Sequence, residues 1–142
     1  MSWLLDTNVV SELIRPKPDV GVIAWSAERS GDEARLYLSA LTLAEIHRGV
    51  LRLNSKSRLF GRLQAWLNTD LAARFAGRIL AFDEQVARTW GMMTAALPKG
   101  IAVSTMDSLI GATALHHGLI LATRNERDMR HFAGLAVENP SR

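Results

Sequence analysis

The chain has 142 residues, the size of one domain, and 48% of them are hydrophobic, which is enough to bury a single core. It contains no cysteine, which excludes a disulfide framework, a thiolate metal site and a cysteine nucleophile. The formal net charge is +3, and 14 of the 17 basic residues are arginine, whose planar fork suits phosphate groups.

The apolar stretches are far shorter than the ~20 residues that a membrane span needs. The N-terminus also lacks the basic start and apolar core of a secretory signal. We therefore expect a cytoplasmic protein with no membrane contact. We find no linker in the sequence and expect residues 1–142 to form one domain.

Short apolar runs alternate with longer amphipathic segments, a pattern typical of βαβ units and a parallel sheet. Strands are predicted at 3–5, 36–40, 78–82, 119–122 and 134–137. Helices are predicted at 7–14, 19–29, 43–53, 57–67, 84–96 and 109–115, with a turn at 30–32. Two of the predicted boundaries depend on single residues: Asp83 as the N-cap of the helix at 84–96, and Gly118 as the C-terminal cap of the helix at 109–115.

Acidic residues recur where a predicted strand or loop gives way to a helix. They are Asp6, Glu45, Asp107 and Asp128. Ligands of open α/β sheets bind at the carboxyl ends of the strands. Helix starts at one end of a parallel sheet would therefore bring these four carboxylates together.

Helix capping is the simpler explanation for each acid taken alone. Thr42-x-x-Glu45 and Ser104-x-x-Asp107 match the capping box, in which a hydroxyl and an acid satisfy free N–H groups at a helix start. Asp6 and Asn125 can equally be simple N-caps. Capping does not require, however, that strands precede three of the four acids, or that all four lie at one end of the sheet.

Several carboxylates without cysteine provide hard oxygen ligands, which select Mg²⁺ or Mn²⁺. Crowded carboxylates repel one another unless a cation is bound, and divalent ions held in this way activate water for attack on a phosphodiester. Arginines near these acids are candidates for binding a nucleic acid, although those at 52–62 can also be a solvated helix face. The candidates are Arg48, Arg52, Arg124 and Arg127.

Four motifs occur in a fixed order along the chain. They are Leu5-Asp6-Thr7-Asn8, then Thr42-Leu43-Ala44-Glu45-Ile46 with Gly49, then 107–114, and finally Thr123-Arg124-Asn125 with Asp128. In this order they resemble the PIN-domain nucleases, and within them the VapC-type toxins of bacterial toxin–antitoxin pairs. The resemblance covers essentially the whole chain. One departure is Met129, where similar proteins often have an aromatic residue.

This resemblance implies an α/β fold with three layers, α/β/α, around a central, mainly parallel sheet. It also implies a ribonuclease in which Asp6 and Asp107 are the principal ligands of Mg²⁺ or Mn²⁺, and Glu45 and Asp128 complete the site directly or through water. Residues adjacent to the acids would orient them by hydrogen bonds. These are Thr7 and Asn8 for Asp6, and Thr123 and Asn125 for Asp128.

The resemblance leaves open whether Asn125 or Asp128 lies nearer the metal. It further implies a small antitoxin as the protein partner, RNA as the substrate, and a homodimer.

Two other functions are compatible with parts of the sequence. Asp6-Thr7-Asn8 at a strand end is similar to the motif of haloacid-dehalogenase-type phosphatases, but these normally have a second acid at the position of Asn8. We also find no clear downstream lysine motif. The other alternative is a non-catalytic co-repressor acting with a DNA-binding partner, which would not need four acids together.

Overall fold

The computed structural model describes residues 1–31 and 35–142. Its strands are β1 (Trp3–Leu5), β2 (Leu36–Ser39), β3 (Ile79–Leu80), β4 (Ile120–Ala122) and β5 (Val137–Glu138). Its helices are α1 (Thr7–Glu12), α2 (Val20–Glu28), α3 (Ala40–Leu51), α4 (Arg58–Ala65), α5 (Ala72–Arg74), α6 (Glu84–Ala95), α7 (Thr105–His117) and α8 (Glu126–Met129). A π-helical segment, Trp66–Leu71, joins α4 to α5.

The five strands form one parallel sheet in the order β3-β2-β1-β4-β5. The chain first adds β2 and β3 on one side of β1 and then returns to add β4 and β5 on the other side. Trp3 pairs in register with both Leu36 of β2 and Ile120 of β4. The order of the strands therefore reverses beside β1, which creates a crevice at the carboxyl ends of β1 and β4 where α/β proteins bind ligands.

Hydrophobic side chains pack on both faces of the sheet. Successive strand residues point to opposite faces. Trp3 and Leu5 of β1 therefore pack with the helices from α1 to α4 and with the π-helical segment, whereas Leu4 packs with α6 and α7. This arrangement gives three layers, α/β/α, around a parallel sheet. The predicted fold class is confirmed.

Most predicted elements are present, and their caps explain where they begin and end. Asp19, Ser57 and Asp83 cap α2, α4 and α6 by accepting N–H groups three residues ahead. Gly118 ends α7 in the left-handed conformation, with φ of 66°, as predicted. Part of the predicted turn at 30–32 lies outside the described residues.

Several elements differ from the prediction. Helix α7 begins at Thr105 rather than at residue 109, and β5 covers Val137–Glu138 rather than 134–137. Helix α3 begins at Ala40 rather than near residue 43, because Ser39 caps it by accepting the Leu41 N–H at 3.0 Å. The helix predicted at 57–67 continues through the π-helical segment to Arg74. The short helix α8 was not predicted.

The two ends of the chain meet beside the sheet. The indole N–H groups of Trp3 and Trp25 donate to the two oxygens of Glu138 at 2.8 and 2.7 Å. The Arg29 guanidinium lies over both indole rings, 4.6 and 4.0 Å from their centroids. Among the described residues, no helix combines the length and apolar character needed to cross a membrane.

Candidate active site

Asp6 lies in the crevice between the ends of β1 and β4. Its backbone N–H continues the ladder to Ala122 of β4, and its side chain caps α1 by accepting the Thr7 N–H at 2.7 Å. The other carboxylate oxygen accepts the Thr123 hydroxyl at 2.8 Å. Because Asp6 is only 2% exposed, these bonds fix its carboxylate in one position.

The pKa of Asp6 is raised from 3.8 to about 6. Burial is the largest cause, and the negative charges of Asp107 and Glu45 raise the pKa further. Hydrogen bonds from Thr123 and the Thr7 N–H act in the opposite direction. Asp6 therefore feels the negative charges of Asp107 and Glu45, and a bound cation would offset this repulsion.

Glu45 is linked to the Asp6 segment by Thr7. The Thr7 hydroxyl has one proton, which it donates to Glu45 Oε1 at 2.6 Å, and its oxygen lies 3.2 Å from the Thr42 hydroxyl. Glu45 is not a capping acid, because α3 begins at Ala40 and Glu45 lies in its second turn. The capping-box explanation for Thr42 and Glu45 is therefore wrong.

Asn125 connects the other two acids. Its side-chain amide nitrogen lies 3.2 Å from Asp107 Oδ2 and 3.3 Å from Asp128 Oδ2, and donates to both. At the start of α7, Ser104 accepts the Asp107 N–H at 3.1 Å, which is half of the predicted capping box. The carboxylate of Asp107 points instead towards the Asn125 amide, so this acid belongs to both the helix start and the site.

Asn8 ties the two strand ends together. Its amide donates to the Thr123 hydroxyl at 3.3 Å and lies 3.5 Å from Asp6 Oδ2, and its carbonyl oxygen accepts the Arg124 N–H at 3.0 Å. The Asn125 N–H in turn donates to Thr123 at 3.0 Å. All four residues that were predicted to orient the acids are thus bonded to an acid. Thr123, however, donates to Asp6 and not to Asp128, the acid that it was predicted to orient, because the end of β4 lies beside Asp6.

The four candidate arginines differ in their surroundings. Arg48, Arg52 and Arg127 are exposed on α3, at its C-terminus and on α8. The Arg124 guanidinium lies 3.1 Å from Glu12 and 3.6 Å from Asp19. Glu12 was not predicted from the sequence, because a glutamate three residues before Arg15 is typical of a surface ion pair.

The acids present fit a hydrated divalent ion. Within 1–31 and 35–142, no three acid, histidine or cysteine side chains are close enough to hold an ion by themselves. Mg²⁺, however, keeps several waters and binds proteins through one or two carboxylates. The hard oxygen donors and the raised pKa of Asp6 are consistent with such an ion.

An apolar cleft of about 270 Å³ opens beside Glu45 and Thr7. The helices α3 and α4, together with α1 and the residues that follow α1 and α3, form its walls with aliphatic side chains. These are Ile14, Ile46, Val50, Leu53, Leu59 and Leu63. The acidic site therefore adjoins a surface suited to apolar groups.

The PIN domain family model matches residues 3–135, which include all four acids and every strand except β5. The chain belongs to the PIN domain family. It is 41% identical over 139 residues to the toxin FitB of Neisseria gonorrhoeae, with 96% of each chain covered. It is also 36% identical over 140 residues to the VapC ribonuclease Y4jK of Sinorhizobium fredii, again with 96% of each chain covered.

A solved structure of FitAB bound to a DNA fragment superposes on this PIN domain with a TM-score of 0.87 and 36% identity, covering 99% of this chain and 96% of that chain. The resemblance found in the sequence motifs is therefore confirmed. PIN-domain VapC nucleases generally depend on divalent metal ions.

Proposed function

We propose that this PIN domain is a metal-dependent endoribonuclease, the toxin of a bacterial toxin–antitoxin pair, and that residues 1–142 form one nuclease domain. One observation carries the proposal: at the β1/β4 crevice, burial raises the pKa of Asp6 to about 6, and the negative charges of Asp107 and Glu45 raise it further. Over nearly the whole chain, the toxin FitB supports the toxin role and the VapC ribonuclease Y4jK supports the ribonuclease activity.

In this proposal Asp6 and Asp107 hold Mg²⁺ or Mn²⁺, and Glu45 and Asp128 complete the site directly or through water. When bound, the ion supplies an activated water and neutralises the charge that develops on the phosphodiester. Glu45, oriented by the Thr7 hydroxyl, or Asp128, oriented by Asn125, positions that water for attack.

The residues beside the acids keep this arrangement rigid. Thr123 and the Thr7 N–H fix the two oxygens of Asp6, and Asn8 holds Thr123 in place. Asn125 keeps Asp107 and Asp128 together although both are negatively charged. Such orienting groups contribute because a catalytic site must be preorganised before the substrate arrives.

RNA is the proposed substrate, and the protein would act on it in the cytoplasm. The exposed Arg48, Arg52 and Arg127 would contact its phosphates. Water attack does not use the ribose 2′-OH, so the preference for RNA rests on the ribonuclease relatives rather than on the chemistry. Single-stranded loops are the proposed target, because their bases are accessible.

A cognate antitoxin is the proposed protein partner, since the neighbouring structures are complexes with antitoxins. The apolar cleft beside Glu45 supports this, because a partner segment seated there would also cover the acids. A homodimer is proposed as well. The half-buried or exposed apolar groups around a pocket of about 200 Å³ between α6 and α7, including Met92 and Leu115, are consistent with it.

The test is to incubate purified, antitoxin-free protein with total RNA in Mg²⁺ or Mn²⁺. An EDTA control and an Asp107→Asn variant that folds normally by circular dichroism are run beside it. We expect discrete cleavage that is lost in both controls. Equal cutting by the variant would contradict the assigned site, and no cutting of any RNA would contradict the proposed activity.

The phosphatase and co-repressor alternatives have less support. The family match and the ribonuclease relatives favour the nuclease over both. A phosphoaspartate trapped with a fluoride mimic would return the phosphatase to consideration.

A further inference from the structure

The side chain of Arg124 joins three separate parts of the chain. Its guanidinium lies 3.1 Å from Glu12 at the end of α1 and 3.6 Å from Asp19 before α2, and its Nε donates to the Ser141 hydroxyl at 3.0 Å. We propose that Arg124 is a positioning residue that fixes the loop 123–125 in the nuclease site, and that it does not bind RNA. This proposal rests on the proposed function.

The loop 123–125 contacts three of the four acids. Thr123 donates to Asp6, and Asn125 donates to Asp107 and Asp128. Arg124 lies between these two residues, so any shift of its backbone moves both donors. The backbone of the loop is held by the Arg124 N–H bond to Asn8 and by the Thr123 N–H bond to the Glu138 carbonyl oxygen, and the Arg124 side chain adds a third anchor.

Glu12 provides a firm attachment for Arg124. Its side chain is only 5% exposed, and it also pairs with Arg15 at 2.6 Å and accepts the Asp19 N–H at 2.9 Å. The pKa of Glu12 is lowered, chiefly by the hydrogen bond from Arg15, so this acid remains ionised at neutral pH. Because Glu12 keeps two partners without Arg124, an Arg124 variant does not leave an unpaired buried charge.

The charge balance around Arg124 argues against a phosphate contact. Its positive charge is already paired with the carboxylates of Glu12 and Asp19. Although the Arg124 side chain is 37% exposed, a phosphate would have to displace these carboxylates from its guanidinium. Arg127, three residues further on, is also exposed, on α8. Arg127 therefore provides a control of equal charge in the same part of the chain.

The C-terminal segment 139–142 completes the attachment. It passes so close to α2 that a Cβ added at Gly21 would lie 2.8 Å from the Ser141 carbonyl oxygen. Gly21→Ala should therefore displace this segment and remove the Ser141 hydroxyl from Arg124. A Cβ added at Gly91, in α6, meets no atom within 4 Å, so Gly91→Ala is the matched control.

The experiment compares Arg124→Gln with Arg127→Gln by three measurements. These are kcat and KM for RNA cleavage, RNA affinity in EDTA at several salt concentrations, and amide hydrogen exchange of 123–125 without RNA. For Arg124→Gln we expect kcat to fall about 10-fold or more, faster exchange in the loop, and unchanged RNA affinity. For Arg127→Gln we expect a higher KM and a salt slope reduced by about 0.7.

Two further variants show whether Arg124 acts through Glu12. If it does, Glu12→Gln and the double variant with Arg124→Gln lower kcat by similar factors, because both break the same link. Arg124→Lys should restore part of kcat, since lysine can reach Glu12 but lacks the fork for three partners. Additive losses in the double variant would contradict the link.

The proposal is overturned if Arg124→Gln weakens RNA binding and lowers the salt slope while kcat and loop exchange stay at wild-type values. If Arg124→Gln does not fold, Gly21→Ala decides the question, with faster exchange in 123–125 expected and unchanged exchange contradicting the proposal. Exchange is measured without RNA. A wild-type protein that cuts no RNA would thus defeat the proposed function alone.

Discussion

Asp6 and Glu12 flank α1 at its two ends, and both are buried, but their pKa values are shifted in opposite directions. Asp6 is 2% exposed and its pKa is raised to about 6, mainly by burial. Glu12 is 3% exposed and its pKa is lowered, mainly by the hydrogen bond from Arg15. Because the two acids are about equally buried, the difference between the structural acid and the proposed catalytic one comes from the charged groups that surround each carboxylate.

The partners of the two carboxylates explain this difference. Glu12 is paired with two guanidinium groups, from Arg15 and Arg124, which offset the cost of burying its charge. The hydrogen bonds that reach Asp6 come from neutral groups, and its charged neighbours are acids. Asp6 thus retains a negative charge that an added cation can balance.

Asp6→Asn provides the largest test of this comparison. The asparagine side chain has the same size and can still cap α1, but it carries no charge. Removing a group that only orients a metal ligand costs up to about 100-fold in activity, and we expect Asp6→Asn to lower RNA cleavage by more than this. Cleavage is measured with RNA in Mn²⁺. Asp83→Asn, at the cap of the distant α6, should cleave like the wild type. Comparable losses in both variants would contradict the distinction.

The pH dependence of stability tests the electrostatic cause. Because the pKa of Asp6 is about 6 in the folded protein and its ordinary value is 3.8, ionisation of this acid destabilises the folded protein increasingly between these two pH values. Asp6→Asn should match the wild type below about pH 3.8 and exceed its free energy of unfolding by up to about 3 kcal/mol above pH 6. Urea denaturation across this range measures the difference.

Ionisation of Glu12, unlike that of Asp6, stabilises the folded protein, because the pKa of Glu12 is lowered by folding. Its stabilising contribution is present above the ordinary glutamate pKa of 4.5 and is lost as the pH falls through the lowered folded value. The wild-type curve therefore contains both effects, and only the difference between Asp6→Asn and wild type isolates Asp6. An Asp6→Asn variant that is less stable than the wild type at pH 7 would be the adverse result.

Metal binding should stabilise the wild-type protein. An ion that binds only the folded state at 100 times its Kd raises the free energy of unfolding by about 2.7 kcal/mol. We expect Mn²⁺ to raise the Tm at pH 7, less so at pH 5 where Asp6 is mostly protonated, and hardly at all in Asp6→Asn. EDTA is the control. An equal rise of the Tm in Asp6→Asn would show that the ion binds at another site.

Asn125→Asp tests the contacts that hold Asp107 and Asp128, the two acids on the other side of the site from Glu45. The change replaces the donor between Asp107 and Asp128 with a third negative charge, so the two acids should separate. We expect cleavage to fall about 10- to 100-fold and to recover in part at higher Mn²⁺. Kinetics over a Mn²⁺ series measure this, and wild-type activity would show that Asn125 does not orient the acids.

The smallest effects are expected at the exposed arginines. Arg48→Gln and Arg52→Gln should weaken RNA binding without changing kcat, and each should lower the slope of log affinity against log salt by about 0.7. Arg88→Gln is the matched control, because Arg88 lies on α6 and pairs with Glu84 at 2.8 Å. If the slope of log affinity against log salt is unchanged in all three variants, the arginines of α3 do not contact RNA phosphates.

The places where the sequence predicted the structure well are those where neighbouring residues decide the outcome. Trp3–Leu5 is a short apolar run followed at once by a capping acid, so both β1 and the position of Asp6 could be predicted. The same holds for Asp83 and Gly118, whose capping roles depend on local backbone geometry.

The features that the sequence did not predict depend on contacts between distant residues. Ser39 and Thr42 are both good caps, and only the end of β2 decides that Ser39 starts α3. Helix α8 has four residues, too few for a periodic pattern. The pairing of Arg124 with Glu12 joins residues that no spacing rule connects.

The bond between Asp6 and Thr123 spans 117 positions of the sequence. A chain is synthesised from its N-terminus at about 5–20 residues per second, so Asp6 emerges from the ribosome well before Thr123 is added. Until β4 is placed beside β1, Asp6 lacks its hydroxyl partner, and the last of the four acids, Asp128, is added after β4 itself. The four acids can therefore be brought together only after residue 128 has been added to the chain.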